Sequence, residues 1–240
     1  MRSLKLSTSK ISVFKQCRKK YFFKYIQEIT LPSSEALEIG KNYHEQVSNI
    51  LTNKLYEKTP MNEAFKKYIM PALPEIKETE KEFYIPLSYG TKLHGFFDAV
   101  TVDDVIVEHK TTKNSIDEKY IYRFNFNEQV STYLLAFSII NKKFCNKMFH
   151  TAIQKLTIRQ KQSETLEQYE QRCYEWYDES KAKVFPVVRT EKEVLSWQDE
   201  IIELSKEIKK CKNFYRNPSA CMYLDCEYSS ICQDYSGYVI

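Results

Sequence analysis

The stretch "HGFFDAVTVDDVIVEHKTTK", residues 94–113, decides the fold. Two runs rich in Phe, Val and Ile flank Asp103-Asp104, a turn pair, so the segment reads as an antiparallel hairpin. Side chains alternate along a strand, so Glu108 and Lys110 point one way and His109 the other. Asp98 lies near the end of the first strand, and a tight turn lets it approach Glu108. A solvated surface hairpin could carry the same residues. The other reading is convergence: two carboxylates held close repel unless a hard cation such as Mg²⁺ or Mn²⁺ lies between them. A lysine beside such a cation can orient or deprotonate a bound water, or neutralise charge on a phosphate. That combination is the chemistry of phosphodiester hydrolysis.

Outward from the hairpin, "EKEFYIPL" (80–87) alternates as a strand, then Tyr89-Gly90 turns the chain into "TKLHGFFDAVTV" (91–102), and "DVIVEHK" (104–110) follows. "STSKISVFKQCRKKYFFKYI" (7–26) reads as a helix beginning after Ser7 or Ser9, with Ile11, Phe14, Tyr21 and Tyr25 on its buried face. A second helix over 36–56 has Tyr43, Val47, Ile50 and Leu51 on its apolar side, and Pro71 and Pro74 mark a break. A helix is expected at about 127–140, a strand at 147–158, a charged helix at 163–183 and a strand at 183–189. Thr190 and Glu193 form a capping box opening a helix to about Phe214. The tail from Asn217 reads as irregular. The mixed order points to α/β or α+β with one central sheet.

The chain has 240 residues, 42% hydrophobic and 28% charged, enough for a substantial core. Its four glycines form neither GxGxxG nor GxxxxGK[ST], which removes the dinucleotide and P-loop classes and a motor within this chain. No apolar run is long enough to cross a membrane and no secretory signal is present, so a cytoplasmic protein without membrane partners is expected. Net charge is +4, yet residues 1–25 hold eight cations and no acid. Lys15, Arg18, Lys19 and Lys20, interleaved with Phe14, Tyr21, Phe22, Phe23 and Tyr25, suit a DNA backbone with stacking surfaces nearby. A solvated helix face over a core-facing aromatic stripe has the same pattern.

The pattern "GFFDAV…VIVEHKTT" resembles the core of the PD-(D/E)XK nuclease superfamily, and more narrowly its RecB-type branch, which includes the AddB nuclease domain and CRISPR-adaptation exonucleases. In that branch a helical His precedes the core, and "GKNYHEQV" supplies His44. A Q-x-x-x-Y helix follows it, and "NEQVSTYLLAF" supplies Gln129 and Tyr133, which share a helix face. The resemblance runs from about Leu6 to Cys232. It implies a restriction-endonuclease-like α/β fold: a central mixed sheet flanked by helices, with the N-terminal helix and Cys-rich tail joined by a metal cluster. It implies one nuclease domain over 1–240, with an N-terminal helical part to 75, a catalytic core over 76–160, a helical part over 161–216 and the tail over 217–240. His44, Asp98, Glu108 and the His109 carbonyl would hold Mg²⁺ or Mn²⁺. Lys110 would act on the attacking water, Gln129 would steady Lys110 or the water, and Tyr133 would contact DNA or the site wall. The implied activity is a metal-dependent deoxyribonuclease, an exonuclease on ends or single strands. A non-catalytic DNA-binding subunit beside a helicase or recombination protein is the alternative.

The tail "CMYLDCEYSSICQ" (221–233) places Cys221, Cys226 and Cys232 at spacings unlike a zinc ribbon. Some RecB-type members bind a [4Fe-4S] cluster through one Cys before the core and three after it. The resemblance assigns Cys17 as the first, with Cys211 as a substitute ligand and zinc as the alternative metal. Cys145 and Cys173 fall inside expected elements and read as core residues. His94 and His150 carry no assigned role.

Overall fold

The computed structural model describes residues 4–223 and 226–234; the last part of the expected tail, 235–240, lies outside them. In chain order they form β1 (Leu4–Leu6), α1 (Thr8–Gln16), α2 (Arg18–Tyr21), α3 (Glu35–Leu51), α4 (Pro60–Ala64), β2 (Ile76–Leu87), β3 (Thr91–Thr101) and β4 (Ile106–Thr112). Then come α5 (Glu118–Tyr122), α6 (Glu128–Asn141), β5 (Lys147–Gln154), α7 (Leu166–Glu175), β6 (Ala182–Val188), α8 (Glu191–Lys210), α9 (Pro218–Tyr223) and α10 (Ser229–Asp234). The fold is mixed α/β, with a central mixed sheet flanked by helices. No helix among the described residues is long and apolar enough to cross a membrane. The chain divides into two compact units: Ser34–Phe83 with Phe96–Trp197, and the remaining described residues.

In the larger unit β4 is the middle strand. It pairs antiparallel with β3 through Ala99↔Val107 and Val100↔Ile106, and parallel with β5 from Ile106↔Met148 to Thr112↔Gln154. A parallel pair needs a long crossover, and the segment containing α6 supplies it. β6 runs antiparallel to β5 at the sheet's end, where Pro186 costs little because an edge strand has no outer partner to lose. Phe97 on β3 stacks on Phe83 at 4.5 Å and meets Tyr133 and Phe137 of α6 edge-on at 5.4 Å. This aromatic cluster fixes α6 against the strand that carries Asp98.

β2 departs from simple alternation. Side chains at 76 and 78 are sheltered, then those at 79, 81, 83, 85 and 87, so the pattern slips by one residue near 79–80. There Glu80 adopts φ 52°, a left-handed conformation that bulges rather than pairs.

In the smaller unit β1 runs parallel to the start of β3, from Leu4↔Thr91 to Leu6↔Leu93. Ser7 caps α1 by accepting from the Lys10 N–H. The expected helix over 7–26 is broken: Cys17 is extended (φ −160°, ψ 114°), α2 restarts after it, and Phe22–Ile26 is a π-helical turn. Cys17 and Tyr21 on either side of the restart are both buried. Phe14, Tyr21 and Phe23 are buried, so they form a core-facing stripe. The tail holds two short helices, α9 and α10, where irregular chain was expected. It is tied to the N-terminal segment by Asn217 Nδ2 donating to the Gln16 carbonyl at 2.8 Å and by Tyr228 Oη donating to the Ile29 carbonyl at 2.9 Å.

Other expectations shift modestly. The charged helix over 163–183 is only α7, because Asp178 accepts from the Ser180 N–H and forms a turn before β6. The Thr190–Glu193 capping box is present, and its helix ends at Lys210. Cys173 is in the core as expected, whereas Cys145 is only partly buried, in the turn after α6.

Candidate functional site

The ladder between β3 and β4 stops at Ala99–Val107, and the Asp98 carboxylate takes over from the main chain. Its Oδ2 accepts from the His109 N–H at 2.7 Å. Its Oδ1 lies 3.3 Å from Nδ1 of His44, which α3 presents from its middle turns. On β4, Lys110 Nζ donates to Glu108 Oε1. Gln129, in the first turn of α6 and positioned by the Asn127 cap, donates to that same oxygen at 2.8 Å and lies 2.9 Å from Tyr133 Oη. Gln129 thus bonds Glu108 rather than Lys110, and Tyr133 is buried beside it. All seven residues expected at the site from the sequence therefore converge within the larger unit.

Two observations bear on a cation. Glu108 is 1% exposed, and its Oε2 has no hydrogen-bond partner. A buried carboxylate oxygen left without a donor is costly in a protein that binds nothing there. Further, ligand atoms of His44, Glu80 and Asp98 all lie within 4.8 Å of one another, the only such group of three or more among the described residues. An imidazole with several carboxylates suits Mg²⁺ or Mn²⁺. The donor set suits a hard divalent cation of this kind.

Glu80 is the member that sequence reasoning missed. It lies outside the hairpin, and a simple alternating strand gave no reason to single it out. Its position depends on the positive φ that breaks the alternation, which no local motif announces.

The electrostatics separate the two core carboxylates. Burial raises the Asp98 pKa, but the hydrogen bond and charge of His44, with His109 and Lys110 adding, outweigh it and hold the carboxyl below its ordinary value. Burial and the Asp98 charge push Glu108 up to about 7, against the pull of Lys110. Burial lowers His44, yet its bond to Asp98 overrides this and raises it. Burial drives His109 down to about 4, so its ring stays neutral and shares a hydrogen bond of 2.7 Å between Nδ1 and Thr151 Oγ1. Lys110 is raised despite its burial, because Glu108 and Asp98 favour its charge. At neutral pH Lys110 is therefore an ammonium: it can donate a proton or neutralise charge, and is not poised as a base.

The match to the PD-(D/E)XK nuclease superfamily extends over residues 61–233. The chain belongs to that superfamily. Among solved structures, a candidate exonuclease from Eubacterium rectale superposes with a TM-score of 0.57 at 12% identity, covering 98% of this chain and 88% of that one. The protein SSO0001 superposes with a TM-score of 0.50 at 16% identity, covering 97% and 87%. At such identities the likeness is one of fold. None of the curated proteins matches in sequence.

The smaller unit holds the other expected group. All seven cysteines are free thiols. Burial raises the Cys232 pKa, and Cys221 and Cys17 lie near enough to raise it further, while Arg216 and Lys19 lower it. Cys17, Cys221 and Cys232 thus fall within electrostatic range in this unit, though their sulfurs do not all lie within 4.8 Å of one another. Cys226 precedes α10, and Cys211 follows α8. Of the four basic residues expected to bind DNA, Arg18 pairs with Glu207 and Lys20 with Glu227. Lys19 lies over the rings of Phe22 and Phe23 at 5.2 and 5.1 Å, and Lys15 lines a cleft with Cys17, Arg18 and Arg216.

Proposed function

We propose that the protein is a divalent-metal-dependent deoxyribonuclease of the RecB-type branch, an exonuclease that shortens DNA from ends or single strands. The observation that carries this reading is Glu108. It is a buried carboxylate with one oxygen held by Lys110 and Gln129 and the other without a hydrogen-bond partner. His44, Glu80, Asp98 and Glu108, with the His109 carbonyl, would hold Mg²⁺ or Mn²⁺. Bound there, the cation would supply Lewis-acid charge for the scissile phosphodiester and its attacking water. Lys110, as an ammonium, neutralises the charge that grows on the phosphate during attack. Gln129 fixes the Glu108 carboxylate, and Tyr133 holds Gln129 in turn. Lys15 and Lys19 would meet the DNA backbone, with Arg18 and Lys20 contributing if their carboxylate partners yield. The test is cleavage of end-labelled DNA by Lys110→Ala beside the parent. Loss of cleavage with DNA binding retained supports the enzyme; undiminished cleavage contradicts it.

In the smaller unit, Cys17, Cys221 and Cys232 with Cys226, or Cys211 in its place, would hold a [4Fe-4S] cluster. Free thiols from both ends of the chain would supply its ligands, and its part would be to staple those ends together. Anaerobically purified protein should be brown and lose its colour in Cys17→Ser. A colourless protein carrying zinc would overturn the assignment.

A further inference from the structure

The segment that links Lys110 to Gln129 carries two aromatic pairs at helical spacing. Tyr120 and Phe124 are four residues apart, as are Tyr122 and Phe126. A two-residue offset places the pairs on opposite sides of α5 and the 3₁₀ turn that follows it at Arg123–Phe126. The first pair faces inward. Phe124 is buried, 4.4 Å from the ring of His150 and 5.2 Å from Phe185, and its carbonyl accepts from Arg189 Nη2 at 2.6 Å. Tyr120 is close enough to Lys110 for that charge to lower its pKa, although burial raises it more. The second pair faces solvent: Tyr122 is 60% and Phe126 72% exposed, with ring centroids 5.5 Å apart at 72°.

The two rings, packed on each other and both open to solvent, form a small aromatic patch. The inward pair anchors the turn firmly, so the outward rings are presented by a fixed platform. The platform runs into the Asn127 cap that positions Gln129, and Gln129 donates to Glu108 at 2.8 Å. The neighbouring charges nearly balance, Lys113, Lys119 and Arg123 against Asp117, Glu118 and Glu128. This is the chemistry of a surface that takes flat π-systems rather than a duplex backbone. A nucleobase offers such a face in any sequence once it is unstacked.

We propose that Tyr122 and Phe126 form a stacking platform for unpaired nucleobases next to the scissile phosphate, giving the nuclease a preference for single-stranded ends. The inference rests on the nuclease reading of the adjacent site. Stacking senses the base and not the phosphate, so an abasic strand of equal charge is the diagnostic ligand. The experiment uses the Lys110→Ala protein in EDTA, which prevents cleavage, and fluorescence anisotropy with labelled oligothymidine or the same strand carrying central abasic sites. The parent should favour the base-bearing strand by about tenfold or more. Tyr122→Ala/Phe126→Ala should bind both strands alike, and Tyr122→Phe should keep the preference. Melting temperatures check that the exposed substitutions leave the fold intact. Aromatic-deleted protein that still favours the base-bearing strand overturns the proposal, as does a parent indifferent to the bases. Separate cleavage assays of wild-type protein distinguish these results from failure of the nuclease reading: a wild type that cleaves DNA while the platform proves dispensable sinks the platform alone.

Discussion

Glu80 offers a direct test of whether this fold accepts local strain to build a metal site. A non-glycine residue in the left-handed region costs roughly 1–2 kcal/mol, and Glu80 adopts φ 52° inside β2. Glycine pays almost nothing there but removes the carboxylate; glutamine keeps the strain and removes only the charge. Glu80→Gly should therefore stabilise the metal-free protein by about 1 kcal/mol, a rise in melting temperature of roughly 2–4 °C for a chain of this size. Glu80→Gln should leave it nearly unchanged.

Both variants should respond less to metal. Mn²⁺ at about a hundred times its dissociation constant stabilises a protein by about 2.7 kcal/mol. If losing one carboxylate weakens binding about tenfold, the same concentration yields about 1.4 kcal/mol, so the metal-induced rise in melting temperature is roughly halved. Thermal melts of the parent and both variants, with and without Mn²⁺, read both effects together. A full Mn²⁺ response in both variants would show that Glu80 is no ligand. A Glu80→Gly protein less stable than the parent would refute the strain argument.

Metal binding should weaken as pH falls through about 7, because Glu108 and His44, both raised, must lose protons to serve as ligands; calorimetry in buffers of different ionisation enthalpy should record proton release, and its absence at pH 6.5 would count against these two ligands. Gln129→Ala should lower kcat more than it raises KM, since Gln129 fixes Glu108 rather than substrate; steady-state kinetics on labelled DNA would show the reverse split if Gln129 held the strand. Burial pushes His150 down to about 3, so its ring is neutral when folded and charges on unfolding. Its contribution is fully present above the unfolded value of about 6.5 and is lost as pH falls towards 3, about 2 kcal/mol by pH 5. His150→Phe, in a slot between Phe124 and Phe185, should flatten the acid limb of stability against pH, and denaturant melts from pH 7 to pH 5 would reveal an unchanged slope if the account is wrong.

Much of the site was legible because its members fall on regular elements. Alternation along β4 put Glu108 and Lys110 on one side, and a four-residue spacing put Gln129 and Tyr133 on one face of α6. The capping box at Thr190 was equally local. What escaped depends on tertiary context. β1 is three residues long and is defined by pairing with β3. The break at Cys17, where the backbone is extended, has no helix-breaking residue to announce it in the sequence. Arg18 and Lys20 read as free cations in the sequence, and only folding shows Glu207 and Glu227 beside them. Glu80 is the same lesson at the site, since a bulge decides where its carboxylate lies.

The central claim is that the group around Asp98 and Glu108 holds a divalent cation and cuts DNA. The measurement that tests it most directly incubates anaerobically prepared protein with end-labelled single- and double-stranded DNA in Mg²⁺, Mn²⁺ or EDTA, beside Lys110→Ala. Metal-dependent shortening from the ends should appear and should vanish in EDTA and in the variant. DNA that is bound but left intact with every metal would contradict it, and would make the protein a DNA-binding subunit built on a nuclease fold.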